Sequence, residues 1–327
     1  MEASTMNSAN KAKAMAGYLD SNLPYVAYGA ARALGNPRAA ALKSRLYDDR
    51  RVLAVIDELG AWPGPALSSH KSARQFFHKL AFLADIGVEA DHPGMPAVIG
   101  KVLEHRDGDG IPLLPLTVSE AHGGTGGKDW AWALCDAPTT LYSLLTMGCR
   151  DTGIGDAVAA LVERRQGDEQ GGAWGCVVSE KLGSWRGPGK KSDPCPYATL
   201  IMIKLLLAHD PARWADAIAA GAARLLGLWR NSQREHPYMF YMGNDFRKLK
   251  LPFIWYDIMH VLDVLRRVPD ARADPAFVEM LGLVAGKEQQ DGGFVPESVY
   301  QEWKDWDFGQ KKAPSDWLGL RVAILLG

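Results

Sequence analysis

One unit recurs along the whole chain: a tight turn rich in Gly and Pro, an apolar helix whose start carries polar and aromatic residues, and a second, amphipathic helix. The apolar helices, which we call inner helices, start about 50 to 65 residues apart, a period typical of helical repeat proteins. Six such pairs of helices can close in a ring. The pattern therefore predicts an all-α fold, a single (α/α)6 toroid with a central cavity, with inner helices at residues 25–34, 76–86, 130–147, 197–209, 253–268 and 316–326.

The partners of these helices, which we call outer helices, carry apolar residues at helical spacing and charged residues on the opposite face. Because a ring of repeats forms one domain, we expect residues 16–327 to be the toroid domain. Residues 1–15 are polar and lack the apolar stretch of a signal peptide, so we expect a mobile N-terminal arm and a cytoplasmic protein. The outer helices are predicted at residues 46–59, 96–105, 155–165, 212–231 and 275–289.

The overall charge and composition narrow the range of partners. A net charge of −1 gives no electrostatic reason to expect nucleic acid as a partner. No stretch approaches the roughly 20 apolar residues that a membrane span needs, so no membrane span is expected. The four cysteines are too few for a disulfide scaffold in a chain of 327 residues, and we expect reduced thiols. A small-molecule substrate is the partner we expect, and the sequence leaves the oligomeric state open.

The turns that end several outer helices carry a family resemblance. Residues 289–294 read Gln-Gln-Asp-Gly-Gly-Phe, and Gln166 is followed by Gly-Gly-Ala-Trp at residues 171–174. This pattern resembles the repeat of the squalene and oxidosqualene cyclases and of the β subunits of protein prenyltransferases, in the terpenoid cyclase and prenyltransferase superfamily. The resemblance implies an α/α toroid that covers nearly the whole chain. It does not fix the chemistry, because the glycines and the aromatic residue serve the turn and its packing.

A possible metal site lies where the inner helices begin. Asp193 and Cys195 lead into the fourth inner helix, and His260 lies near the start of the fifth. These residues resemble the Asp-x-Cys and His zinc ligands of protein prenyltransferase β subunits, so the resemblance implies a zinc ion bound by these three side chains. Three ligands leave the fourth position open, as a catalytic zinc requires. Asp257, three residues before His260, is a further ligand, a partner of a ligand or a base.

A second group of residues favours acid–base chemistry without a metal. Cys135 and Asp136 fall in the predicted helix 130–147, and a buried carboxylate needs a partner. We expect Asp136, Cys135, Asp257 and His78 to be catalytic. The alternatives are structural: an ion pair of Asp136 with an Arg or Lys across the ring, and ordinary packing or helix capping for the other residues. The glycine cluster at residues 123–127 matches no nucleotide-binding spacing, so we expect no nucleotide cofactor.

Aromatic and basic residues near the starts of the inner helices predict the character of the substrate. Basic loops on one rim would attract an anionic group, and aromatic side chains would line an apolar interior. The alternative is a solvated basic rim over a packed aromatic core. One or two residues of the loop at 304–312 are also expected in the site. The predicted substrate-binding residues are Tyr197, Trp132, Tyr256, Trp255, Arg247, Lys248 and Lys311.

Three functions therefore stay open. The first is an enzyme that acts on a small apolar, aromatic or isoprenoid-like substrate through a Cys/His/Asp site with zinc, by transferase or hydrolase chemistry. The second is a metal-independent lyase or isomerase, of the hydratase, dehydratase or cyclase type, that uses the same groups as acid and base. The chain lacks the Asp-x-Asp-Asp acid of squalene-type cyclases, which argues against carbocation cyclisation of that type. The third is a binding module without catalysis.

Overall fold

A computed structural model describes residues 13–165, 172–183, 185, 194–234, 236–237 and 240–327. Within these residues the protein is mainly helical, with one two-stranded antiparallel sheet, which confirms the all-α class. The strands are β1 (Leu114–Thr117) and β2 (Lys128–Ala131). The helices are α1 (Pro24–Leu34), α2 (Ala39–Tyr47), α3 (Arg50–Leu59), α4 (Phe76–Ile86), α5 (Met95–Glu104), α6 (Ala137–Thr146), α7 (Gly153–Val162), α8 (Pro196–His209), α9 (Ala215–Asn231), α10 (Ile258–Leu265), α11 (Pro269–Arg272), α12 (Pro275–Ala285) and α13 (Asp316–Leu326).

The inner helices are α1, α4, α6, α8, α10 and α13. Nearly every side chain of α4, α8 and α10 is buried, which is why these helices are apolar on all faces rather than on one stripe. Consecutive inner helices from α1 to α10 pack against each other, and α13 packs against α1. The helices α10 and α13 are joined by an ion pair of 2.5 Å between Asp263 and Arg321.

The outer helices pack against the inner helices. For example, α2 packs against α1, α3 against α4, α9 against α8, and α12 against both α10 and α13. The predicted outer helix at 46–59 is two helices, because the chain becomes extended at Asp49. The Asp49 side chain accepts hydrogen bonds from the backbone N–H groups of Arg51 and Val52 and so caps α3.

Two predicted inner helices start later than expected. The predicted helix at 130–147 is the end of strand β2, a turn, and then α6. Pro138 lies in the first turn of α6. Backbone N–H groups in the first turn of a helix have no partner within the helix, so a proline, which lacks this group, is tolerated there and does not kink α6. The predicted helix at 253–268 begins only at Ile258, because Asp257 has an extended backbone and caps α10. The predictions for 76–86 and 316–326 match α4 and α13.

The predicted N-terminal arm lies mostly outside the described residues. Its last residues, 13–15, are helical, and Met15 packs against the core. In the part of the chain that the structure describes, no helix has both the length and the apolar character needed to cross a membrane.

Candidate functional site

Asp136 and His70 form a hydrogen-bonded pair in which the carboxylate is fully buried. The Oδ2 atom of Asp136 lies 2.7 Å from Nε2 of His70, and Oδ1 accepts a hydrogen bond of 3.2 Å from the backbone N–H of Ala133. Asp136 is 0% exposed, whereas the side chain of His70 is 10% exposed. A carboxylate only accepts hydrogen bonds, so Nε2 carries a proton and Nδ1 of His70 is left as the basic nitrogen. The predicted Arg or Lys partner of Asp136 is therefore wrong, since the partner is a histidine.

A second histidine holds the backbone of His70. The Nε2 atom of His78, in the first turn of α4, donates a hydrogen bond of 2.7 Å to the carbonyl oxygen of His70. Burial lowers the pKa of His78 to about 3, so this imidazole stays neutral near pH 7. Its Nδ1 atom is buried and has no hydrogen-bond partner among the described residues. His78, predicted as catalytic, thus contacts the loop that carries His70 and is itself 2% exposed.

His70 opens onto a cavity of about 540 Å³, which we call the His70 cavity. The loop that carries His70 is fixed to strand β1, because the backbone N–H of Leu67 donates to Pro115 and the N–H of Thr117 donates to Leu67. The ring of Trp185 stacks on the imidazole of His70, with 6.3 Å between ring centres. The walls combine apolar side chains with hydroxyls and one carboxylate, from Leu67, Ser68, His70, Leu116, Thr117, Val118, Ser119, Glu120, Gly126 and Trp185.

Cys135, the neighbour of Asp136, faces other thiols rather than the His70 cavity. Its side chain is 6% exposed, and the neighbouring thiols of Cys176 and Cys195, together with burial, raise the pKa of the Cys135 thiol. None of the described cysteines is in a disulfide. Cys135 is therefore part of a cluster of three thiols that lies next to the Asp136 carboxylate in the chain.

The predicted zinc ligands have separate surroundings. The Cys195 sulfur accepts a hydrogen bond of 3.4 Å from the backbone N–H of Ala198. His260 stacks on the ring of Phe253 at 5.0 Å, and burial together with the charge of Lys204 lowers its pKa to about 3. Asp193 lies outside the described residues. Within those residues, no group of three His, Cys, Asp or Glu side chains is arranged to hold a metal ion. Zinc binding by Asp193, Cys195 and His260 therefore stays a prediction.

Asp257 is a buried carboxyl group with an incomplete set of partners. Its Oδ1 atom accepts a hydrogen bond of 3.0 Å from the backbone N–H of His260, and Oδ2 has no partner among the described residues. Burial raises the pKa of Asp257 to about 7. Asp257 can therefore exchange a proton near neutral pH, but it is only 4% exposed and does not line the His70 cavity.

Three of the predicted substrate-binding aromatic residues are packed together as core. The hydroxyl of Tyr197 donates a hydrogen bond of 3.0 Å to the carbonyl of Ile254, and its ring lies 4.3 Å from the ring of Trp255. Tyr256 is 5% exposed and contacts the ring of Phe240 edge to face. The ammonium group of Lys71 lies over Trp255. These contacts agree with the alternative of a packed aromatic core.

The other predicted substrate-binding residues also have contacts outside the His70 cavity. The indole N–H of Trp132 donates to Asp107 at 2.8 Å, and Lys248 pairs with Asp245 at 3.0 Å. The guanidinium group of Arg247 lies over the ring of Trp229 in outer helix α9, 5.1 Å from its centre. Lys311 is exposed. None of these four side chains lines the His70 cavity.

A second cavity, of about 690 Å³, lies where the inner helices end. Each inner helix contributes at least one lining residue: Arg32, Asp85, Tyr142, Ala208, Asp263 and Arg321. Arg266 and Arg267 also line it, and we call it the arginine cavity. Behind it, the buried ammonium group of Lys204 pairs with Asp85 at 3.2 Å.

Sequence reasoning missed His70, Trp185 and Glu120. His70 lies in the segment Ser-Ser-His-Lys-Ser at 68–72, directly before an inner helix, which is where the chemistry was expected. That position was the available signal, but a single histidine in a polar loop has no periodicity that marks it. Comparisons with known proteins add no assignment: no protein-family model matches the chain, and no similar protein was found among curated proteins.

Proposed function

We propose that this protein is an enzyme that transfers protons to and from a small organic substrate bound in the His70 cavity. His70 is the acid–base group and Asp136 is its orienting partner. The observation that carries this proposal is the 2.7 Å contact between a fully buried carboxylate and an imidazole that reaches a cavity. Carboxylates with a purely structural role usually pair with Arg or Lys. A buried carboxylate that is hydrogen-bonded to a histidine lining a cavity is a common arrangement for general acid–base catalysis.

The geometry gives each residue a distinct role. Hydrogen bonding to Asp136 fixes the tautomer of His70 and leaves Nδ1 able to accept a proton from the substrate. The negative charge of Asp136 then stabilises the imidazolium ion that forms. His78 holds the carbonyl of His70, so the imidazole is oriented at both its ring and its backbone. This pairing supports hydrolysis, dehydration and isomerisation alike, because each needs a positioned base that later returns the proton.

The walls of the His70 cavity indicate the class of substrate. Leu67, Leu116, Val118 and Trp185 are apolar, whereas Ser68 and Glu120 offer polar groups at the same cavity. A molecule with an apolar body and one hydroxyl or ester group fits this combination. Glu120 is exposed and is the second carboxyl group available for proton transfer.

We also propose that the inner helices form the inner wall of an (α/α)6 toroid. Support comes from the packing of α13 on α1 and from the arginine cavity, to which every inner helix contributes. This architecture agrees with the resemblance to the terpenoid cyclase and prenyltransferase superfamily. No step is assigned to zinc, because no group of three possible metal ligands lies together among the described residues.

The test is a comparison of purified variants on small activated substrates. We would incubate the protein with p-nitrophenyl acetate, butyrate and octanoate, and with small tertiary allylic alcohols, and follow the products by absorbance and mass spectrometry. His70→Gln should lower the turnover of any accepted substrate by a factor of about 100 or more, a typical effect of losing a general base. Asp136→Asn should lower it by a smaller factor while leaving the KM nearly unchanged.

Matched controls separate this activity from the background reactivity of histidines. His236 is exposed, and His236→Gln should leave turnover at the wild-type value. Circular dichroism would verify that each variant is folded. Turnover that is equal in wild type, His70→Gln and His236→Gln would refute the proposal for that substrate class.

A second candidate function, binding of a small anion, is favoured by the arginine cavity. Four arginine side chains line it against two carboxylates, and Asp263 is shared by three of these arginines. The Nη2 atom of Arg267 is buried with no hydrogen-bond partner among the described residues, and its nearest paired oxygen lies 3.9 Å away on Asp263. An anion would supply the missing acceptor.

Thermal shift measurements with citrate and inorganic phosphate test this candidate. The melting temperature should rise with ligand concentration in the wild type, and the rise should be smaller in Arg267→Gln. Arg234→Gln, at an exposed position, is the matched control and should behave as wild type. An equal rise in all three proteins would show that the anion acts elsewhere on the surface.

A further inference from the structure

The positive charge of the arginine cavity comes from three neighbouring helices. Arg32 lies in the last turn of α1, and Arg321 lies in α13. Arg266 and Arg267 directly follow the last residue of α10. The three helices are neighbours, because α13 packs against α1 and an ion pair joins α13 to α10. Among the described lining residues, those from α4, α6 and α8 carry no positive charge, so one side of the cavity is basic.

The carboxylates of the cavity do not balance this basic side. Asp85 is already paired with the buried ammonium group of Lys204 at 3.2 Å. Asp263 is then the one carboxylate among the described lining residues that faces the arginines. It pairs with Arg321 at 2.5 Å, whereas Nη2 of Arg267 lies 3.9 Å from it and is buried without a hydrogen-bond partner among the described residues. Helix C-termini favour nearby cations, but that preference gives this N–H group no acceptor.

Apolar side chains line much of the rest of the cavity. Ala84 near the end of α4 and Ala208 near the end of α8 are small, and Met15 and Ile324 add larger apolar surfaces. The small side chains leave a space of about 690 Å³, far more than a single carboxylate or phosphate group fills. Cavities of roughly 300 to 1,000 Å³ usually bind molecules with an apolar body and a few polar anchors. The shape and the lining therefore indicate a ligand larger than a bare anion.

We infer that the arginine cavity binds a carboxylate with an apolar body, such as a short-chain or medium-chain fatty acid. Its carboxylate accepts a hydrogen bond from Nη2 of Arg267, and its hydrocarbon part lies against Ala84 and Ala208. A carboxylate is the head group because the cavity already pairs one, that of Asp263, with Arg321, and planar guanidinium groups match planar carboxylates. The inference rests on the anion-binding function proposed above and adds the class of the anion.

Binding of acetate, hexanoate and 1-hexanol to the whole chain tests the inference by isothermal titration calorimetry. The two acids carry the same charge, so the difference between them measures the contribution of the hydrocarbon part. Hexanoate should bind about tenfold more tightly than acetate or better, because each fully buried methylene group strengthens binding roughly fourfold. Hexanol has no charge for the arginines and should bind at least about tenfold more weakly than hexanoate.

Two substitutions separate the basic side from the apolar side. Arg267→Gln should weaken acetate and hexanoate by about the same factor, on the order of tenfold, since both lose a charge-assisted hydrogen bond. Ala208→Leu fills part of the apolar space, so it should weaken hexanoate about tenfold and leave acetate unchanged. Ala219→Leu, at an exposed position of α9, is the matched control and should bind both acids as wild type does. If Ala208→Leu fails to fold, Ile324→Ser, at a half-buried position, replaces it with the same expected result.

The possible failures of this inference and of the anion-binding function are distinct. Equal affinities for acetate and hexanoate, both weakened by Arg267→Gln, would overturn the inference and leave the anion-binding function intact. Hexanoate that binds equally well to the wild type and to both variants would lie elsewhere on the protein, which would also overturn the inference. Hexyl phosphate that binds through Arg267 while hexanoate does not would refute the carboxylate head group. If Arg267→Gln changes the binding of no anion, the anion-binding function itself is wrong.

Discussion

The hydroxyl of Tyr25 in α1 donates a hydrogen bond of 2.8 Å to Oδ1 of Asp307. The other carboxylate oxygen of Asp307 accepts hydrogen bonds from the hydroxyl of Ser315 and the N–H of Trp317 at the start of α13. One carboxylate therefore joins the first and the last inner helix. The loop at 304–312, expected to supply residues of the functional site, contributes this structural link.

Replacing Asp307 tests the link. Asp307→Asn keeps the shape of the side chain but turns an NH2 group toward donors, so one or more buried donors lose their acceptor. The free energy of unfolding should fall by about 1 to 3 kcal/mol, measured by urea denaturation. Asp305→Asn, at an exposed position in the same loop, should change it by less than about 0.5 kcal/mol. A loss that is equal in both variants would contradict the role of Asp307.

Asp257 predicts a dependence of stability on pH. Burial raises its pKa in the folded state to about 7, above the unfolded value of 3.8, so the folded state binds the proton more tightly. This contribution is complete below about pH 4 and is lost as the pH rises to about 7. Between pH 5 and pH 8 it amounts to roughly 2.5 kcal/mol.

The measurement is urea denaturation of wild type and Asp257→Asn at pH 5 and pH 8. The asparagine still caps α10 through its carbonyl oxygen but does not titrate. The variant should therefore lose less stability than the wild type as the pH rises. An equal loss in both proteins would show that Asp257 titrates normally.

The lowered pKa of His78 predicts the opposite pH dependence of stability. Burial lowers its pKa from 6.5 to about 3, so the unfolded chain binds a proton that the folded protein does not. Stability is lost as the pH falls below about 6.5, by about 2 kcal/mol between pH 7 and pH 5. His78→Gln keeps a donor near the carbonyl of His70 but does not titrate. Urea denaturation at both pH values should show a smaller loss in this variant, and an identical loss would contradict the prediction.

The buried ion pair of Lys204 and Asp85 predicts that substitutions of these two residues will not have additive effects on the free energy of unfolding. Their side chains are 4% and 10% exposed, and the hydroxyl of Tyr142 also donates to Asp85 at 2.6 Å. Lys204→Met leaves a buried carboxylate without its cation and should lower the free energy of unfolding by about 3 to 5 kcal/mol. Lys204→Met combined with Asp85→Asn should cost less than the single change, because no buried charge is left. Equal costs, measured by chemical denaturation, would show that the two groups are independent.

The sequence predicted the inner helices well where their apolar run has clear ends. The segments at 76–86 and 316–326 match their helices, since a glycine follows each of them and the Ser315 side chain caps the start of the second. The segment at 130–147 was wrong because its aromatic start belongs to strand β2, whose residues pair with β1 rather than with their own chain neighbours. Strand pairing is a tertiary contact, and helical periodicity does not reveal it.

The sequence analysis named one residue of the candidate site, Asp136, and missed its partner, His70. Asp136 was identified from the cost of burying a carboxylate, yet its partner lies 66 residues earlier in a loop without periodicity. The resemblance that grouped Cys195 with His260 rests on spacing along the chain. In the structure the N–H of Cys195 donates to the carbonyl of Trp174, and this backbone pairing cannot be derived from the spacing of the residues.

The link between α1 and α13 has a consequence for synthesis in the cell. Tyr25 and Asp307 are 282 residues apart in the chain, and the ring of Tyr25 packs against Trp306 and Trp317. At about 5 to 20 residues per second, a ribosome needs roughly 15 to 60 s to synthesise the chain from Tyr25 to the loop that carries Trp306 and Asp307. During that time the aromatic face of α1 has no native cover, so the nascent chain offers chaperones a binding segment that the finished protein conceals.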